Sequence, residues 1–319
     1  MSATTSAVDA TDATARTRAM LTAADAGRRR TDRVMTVLIW AAFVLAMAPL
    51  LSLVWTVLSN GIDRISLDFL QYSMRNVFGG DTAGGIYHAM VGTVLITLAA
   101  MVISVPIGLL TAIYLVEYGR GPLARAVTFF VDVMTGIPSI VAGLFAISLF
   151  TIVAGPDVRM GVIGAVALSV LMIPVVVRSC EEMLRLVPNE LREASYALGV
   201  PKWLTVVRVV VRTSVAGITT GILLAVARVI GETAPLLVTV GVTDSINMNL
   251  FDERMMTLPV FIYRQFSQGY APCQTGQADC VADIAFQNAW GAALVLIILV
   301  MLLNLVGRLV TRYFSPKLR

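Results

Sequence analysis

The chain has 319 residues, 57% of them hydrophobic and 14% charged, with a mean hydropathy of +0.82. That balance is too apolar for a water-soluble globule and predicts an all-α, polytopic membrane protein. Three cysteines exclude a disulfide-rich scaffold and a single histidine excludes a histidine metal cluster, while the net charge of +4 matters less than its distribution across a bilayer.

Residues 1–33 hold nine Ala, seven Thr, six Arg and four Asp without an apolar run, which predicts a disordered cytosolic tail. The segment has no h-region, so it does not read as a secretory signal, and its Asp residues argue against an organellar transit peptide. Arg28, Arg29, Arg30 and Arg33 abut the first apolar stretch and read as a positive-inside anchor.

Six apolar stretches follow at about 34–58, 86–116, 126–154, 161–177, 213–242 and 288–311. Each is near or above the ~20 residues that cross a hydrocarbon core, so 34–319 reads as one transmembrane domain. Asp132 lies early in the third stretch, where an interfacial turn is expected. With the N-terminus inside, eighteen Lys and Arg fall on cytosolic segments or span ends and five on external ones, and the remaining one, Arg228, falls within a span. Both termini are therefore expected in the cytosol, with 179–212 as the large cytosolic loop and 59–85 and 243–287 as external loops. Cys273 and Cys280 flank Gly276 in the second external loop, where an oxidising face allows them to pair. Two free thiols are the alternative.

The span at 213–242 carries ARVIGETAPLL, residues 227–237. An Arg and a Glu at membrane depth are costly and mark a substrate or ion path. Arg228 and Glu232 stand four apart on one helix face and can partly neutralise each other, but Arg before Glu is the weaker order and leaves Arg228 capacity for an external anion; a self-contained structural pair is the plainer alternative. Gly231 and Pro235 interrupt that helix and can free backbone groups toward a cavity. In TGIPSIVAGLF, residues 135–145, Gly136, Pro138 and Gly143 predict a kinked helix with Thr135 and Ser139 as small polar donors. Close helix packing is the competing reason for small residues there. Arg178, at the end of the fourth span, reads by position as an interfacial anchor.

The cytosolic loop contains NELREASYALGVP, Asn189 to Pro201, a helix expected to be N-capped by Asn189 and stopped by Gly199 and Pro201. Leu191, Ala194, Ser195 and Leu198 form one stripe on it, to be held by this chain or by another. No segment matches a phosphate-binding P-loop, and one histidine leaves no Ser-His-Asp triad, so no enzyme activity and no cofactor are expected in this chain.

Glu193-Ala194-Ser195, three residues, Gly199, nine residues and Val209-x-Val211-Arg212 resembles the EAA loop of ABC-importer permeases, E-A-A-x3-G-x9-I-x-L-P. Ser195, Val209, Val211 and Arg212 depart from that pattern. In that family the loop docks into a groove of a separate ATPase, so the resemblance implies docking by Glu193, Ala194, Ser195, Leu198 and Gly199. A linker helix packed on its own membrane domain is the alternative. Together with TGIPSIVAGLF, ARVIGETAPLL, the MTLPVFIY run ending at Tyr263 and AWGAALVLIILVMLLN (289–304), the chain over about 34–313 is similar to the permease subunits of phosphate ABC importers. That resemblance implies phosphate passage by Arg228, Glu232 and Arg178. It also implies a second permease subunit (PstC-like), an ABC ATPase dimer (PstB-like) holding ATP and Mg, and an extracytoplasmic phosphate-binding protein (PstS-like). Competing readings are a permease for another oxyanion, a proton-coupled anion transporter using Glu232, and a membrane scaffold. The second is disfavoured by the lack of a visible internal repeat.

Overall fold

The computed structural model describes the backbone of residues 4–273 and 280–314, with side chains from Arg28 onward except a few at the C-terminal end. Gly276 and residues 1–3 of the expected tail lie outside the described residues. The elements are α1 (Thr4–Gly61), α2 (Leu67–Gln71), α3 (Tyr87–Ile113), α4 (Gly121–Thr135), α5 (Ser139–Ala154), α6 (Gly161–Arg185), α7 (Asn189–Ala197), α8 (Lys202–Thr205), α9 (Arg212–Val229), α10 (Ala234–Thr239), α11 (Leu258–Gln268) and α12 (Ile284–Phe314). Wide π turns at Tyr114–Tyr118 and Val206–Val211 prolong α3 and join α8 to α9. No strand occurs among the described residues.

Five helical runs are long and apolar enough to cross a membrane: Arg28–Arg64, Tyr87–Tyr118, Gly161–Arg185, Lys202–Val229 and Ile284–Leu309. A bent pair, α4 and α5, meets at 108° across Gly136-Ile137-Pro138 and makes a sixth span when its two arms are taken as one. Gly136 ends α4, and Pro138 holds its own φ at −58° with ψ at 136°, outside the helical region. The fifth span differs from the expected 213–242 in starting at Lys202 and stopping at Val229. In the segment expected as a disordered tail, the backbone is helical from Thr4. From Thr4 onward the segment is rich in Ala and Arg, strong helix formers, and it runs on into a long apolar helix.

Residues up to Thr56 form one compact unit and those from Val57 onward another. In the first, α1 contains Pro49 within its apolar run. In the second, α3 and α6 form the central pair, with α9, α11 and α12 packed around them. Ile96, Leu168, Met172, Leu184 and Phe261 are buried there. Small residues let backbones touch in the absence of a hydrophobic drive between helices in lipid. An added Cβ at Gly143 of α5 would lie 2.7 Å from the Pro235 Cα of α10. Phe130, Phe145 and Leu305 remain exposed, as expected of faces that meet hydrocarbon or another subunit.

One end of the second unit is tied by a disulfide between Cys273 and Cys280. Cys280 pairs with Asp81 through the backbone, and Val281 N donates to Gly80 O at 2.8 Å; these backbone contacts, not the disulfide, join loop 243–287 to loop 59–85. An added Cβ at Gly80 would sit 2.2 Å from Cys280 Sγ, leaving no room for a side chain. The opposite end carries α7.

Candidate functional site

Two interrupted spans meet in the middle of the second unit. The α4–α5 bend lies between Thr135 and Ser139; the α9–α10 break runs from Ile230 to Thr233. Ser139 stands one turn before Gly143 and Glu232 three residues before Pro235, so the Gly143–Pro235 contact brings both interruptions together. Thr135 Oγ1 donates to Val131 O at 2.9 Å, its hydroxyl folded back on its own helix.

Arg228 lies on the last turn of α9 with its side chain exposed, and Glu232 lies in the break, half-buried. The expected sharing of one helix face does not occur, and no ion pair joins them among the described residues. The reason is local. The helix ends at Val229, Glu232 N bonds back to Val229 O at 3.1 Å, and the stacking of positions four apart is lost. Arg228 therefore keeps its full donor set. Interrupted helices at membrane depth are tolerated where the freed backbone lines a cavity or lies against protein.

Arg178 on α6 is engaged, and more than a position-based anchor requires. Its Nη2 pairs with Asp132 of α4 and its Nη1 with Glu181 Oε2 at 2.9 Å. Glu181 also takes Arg185 Nη2 at 2.6 Å. Beside this network a groove of about 410 Å³ runs between α6 and α9, lined by Ser179, Glu182 and Met183 on one side and Gly217, Thr220 and Leu224 on the other. A Cβ on Gly221 would lie 2.6 Å from Ser179 Cβ, which sets Arg178 level with Gly221. At 1.5 Å per residue, Arg228 stands roughly 10 Å further along α9 than Arg178.

At the α7 end the predicted helix forms over Asn189–Ala197, but Pro188 takes the N-cap position. Asn189 is already helical, and its side chain accepts from Arg192 Nη1 at 3.2 Å instead of capping a backbone N–H. The C-terminal stop follows the expected chemistry: Gly199 sits at φ +76°, with its N–H on Tyr196 O at 2.9 Å. The stripe divides into an inward and an outward part. Ser195 is buried, its Oγ 2.8 Å from Thr205 Oγ1, whereas Leu198 is 83% exposed and Glu193, Ala194 and Gly199 are exposed with it. Arg192 fixes the helix from beneath, donating to Glu117 Oε1 at 2.8 and 3.0 Å, to Val187 O at 2.6 Å and to Leu184 O at 3.1 Å. Lys202 Nζ adds a bond to Glu117 O at 2.5 Å and lies 4.8 Å from the Tyr118 ring centroid. Those bonds hold α7 rigidly while leaving an apolar, acidic-edged face outward.

Sequence reasoning missed Glu181, Glu117 and the partnership of Asp132. Glu181 had a signal, since it stands three residues after Arg178 and four before Arg185 on a helix. Glu117 had none, because its partner Arg192 is 75 residues away.

Comparison with known proteins matches residues 104–319 to the family model described as "Binding-protein-dependent transport system inner membrane component". Phosphate transport system permease protein PstA 1 of Mycobacterium tuberculosis (strain ATCC 25618 / H37Rv) is 47% identical over 293 residues, covering 92% of this chain and 91% of the relative. Phosphate transport system permease protein PstA of Mycobacterium leprae (strain TN) is 46% identical over 281 residues, covering 88% of each. A bacterial alginate ABC transporter, solved in complex with an alginate pentasaccharide-bound periplasmic protein, superposes with a TM-score of 0.61 at 10% identity, over 90% of this chain and 96% of that one. That likeness is one of fold.

Proposed function

Because this chain belongs to the family of binding-protein-dependent transport system inner membrane components, we propose that it is the phosphate-conducting permease of an ATP-driven importer. It forms half of the path together with a second, PstC-like permease. The relatives' names supply the substrate, and the observation that carries the reading in this chain is Arg228: exposed, without a carboxylate partner among the described residues, and beside a helix break. A cation at membrane depth is costly unless it meets water or an anion, and guanidinium offers phosphate a charged planar fork. Desolvating phosphate is expensive, and charge-assisted hydrogen bonds offset part of that cost. Thr135, Ser139 and Glu232 border the same interruptions, and Arg178 stands about 10 Å along the path.

Coupling is assigned to α7. Glu193, Ala194, Leu198 and Gly199 present the docking face to a PstB-like ATPase dimer that holds ATP and Mg, and Ser195 pins the helix to this chain. The end carrying the disulfide faces outward and receives a PstS-like phosphate-binding protein, with both termini in the cytosol. The test is uptake of labelled phosphate by cells that lack their own high-affinity system and carry this chain with its partner subunits. ATP-dependent phosphate uptake that persists in excess sulfate supports the reading. Uptake that follows another oxyanion instead would replace the substrate, and loss of transport on collapsing the proton gradient alone would replace the energy source.

A further inference from the structure

Arg178 is held by two carboxylates that differ in every respect relevant to release. Glu181 is on the same helix, has only 9% of its side chain exposed and is bonded to Arg185 as well. It is locked. Asp132 comes from another helix, has 61% of its side chain exposed and bonds only Arg178 Nη2. An exposed ion pair on a membrane-spanning face cannot lie against hydrocarbon without large cost, so this one faces water or a polar partner surface. Asp132 is also three residues from the end of α4, where the 108° bend begins.

We propose that Asp132 is an exchangeable counter-ion for Arg178, a positioning residue that occupies its guanidinium between transport events and is displaced by the transported oxyanion. The inference rests on the phosphate reading above. Only two of the five guanidinium N–H donors are engaged, one of them by Asp132. A tetrahedral oxyanion places two oxygens on that fork, which a single Asp132 oxygen does not match. Once the anion moves on, Asp132 returns, and its negative charge opposes retention of the substrate. Glu181 holds the guanidinium in place throughout.

The experiment uses the complete purified complex, equilibrium binding of inorganic phosphate without the binding protein, and the maximal transport rate after reconstitution. Asp132→Asn removes the competing charge and is expected to raise phosphate affinity about fivefold and to slow maximal transport by a similar factor. Adding Arg178→Gln should abolish the gained affinity. Asp132→Glu retains the carboxylate and should stay within about twofold of the unmodified complex on both readouts. Unchanged phosphate binding in Asp132→Asn overturns the proposal. So does restored transport in the charge-swapped double variant Asp132→Arg, Arg178→Asp, since a purely structural pair tolerates exchange and an anion-meeting arginine does not. If Asp132→Asn fails to accumulate, the charge-swapped variant decides alone. An unmodified complex that moves no phosphate would instead sink the parent reading.

Discussion

Arg228 and Arg178 sit on neighbouring helices about 10 Å apart along the axis, yet the fold treats them oppositely. Arg178 meets Asp132 and Glu181, while Arg228 meets no carboxylate among the described residues. The difference lies in the backbone. Through Arg178 the helix α6 is continuous, so Glu181 and Arg185 stack on one face. Just past Arg228 the helix α9 stops, and the acid that would have stacked beneath it is carried away. A broken helix thus leaves a cation available that an unbroken one would have neutralised.

The sharpest way to break that contrast is at the free arginine. Arg228→Gln removes charge-assisted bonds worth together about 4 kcal/mol, so phosphate uptake is expected to fall by roughly a thousandfold while the complex still assembles. Arg228→Lys retains the charge without the planar fork and should fall between the two. Uptake by whole cells, normalised to membrane content, is the readout. Near-normal uptake in the glutamine variant would make this arginine structural and move the search for the path to Arg178.

A second effect belongs to the buried partner pair at the α7 end. Arg192 and Glu117 are 12% and 5% exposed. Arg192→Ala leaves an uncompensated buried carboxylate and should cost about 3 kcal/mol, read as a lowered melting temperature of the detergent-solubilised complex. An unchanged melting temperature would mean that water reaches Glu117.

The sequence made much of this visible and left specific parts hidden. Composition and apolar length revealed the long membrane-crossing helices because lipid permits few alternatives to them. Gly199 was legible because a left-handed cap favours glycine, and Gly136 with Pro138 because a helix cannot run through both. The ownership of the α7 stripe was not legible. Periodicity placed Ser195 and Leu198 on one face, but only the position of Thr205 turns Ser195 inward. Asp132 looked like an interfacial turn because its partner is 46 residues away. Arg228 and Glu232 looked like a pair because spacing assumes a continuous helix.

Smaller effects sharpen the same division. Leu198→Asp places charge on the outward face of α7 and should weaken ATPase retention during purification by about tenfold, without changing the amount of permease. Full retention would argue for a linker helix. Ser195→Ala removes only the inward bond to Thr205 and should cost about 1 kcal/mol of stability with transport kept near normal. A variant at Ser195 that sheds the ATPase as readily as Leu198→Asp would contradict the split between inward and outward residues.

The central claim is that the unpaired Arg228 meets the transported anion while the docking face does the coupling. Its most direct test is the complete complex in proteoliposomes, given binding protein loaded with phosphate, with ATP hydrolysis and phosphate entry measured together. For Arg228→Gln, hydrolysis is expected to stay within about twofold of the unmodified complex while phosphate entry drops to background. Phosphate entry that keeps pace with hydrolysis in that variant would contradict the account.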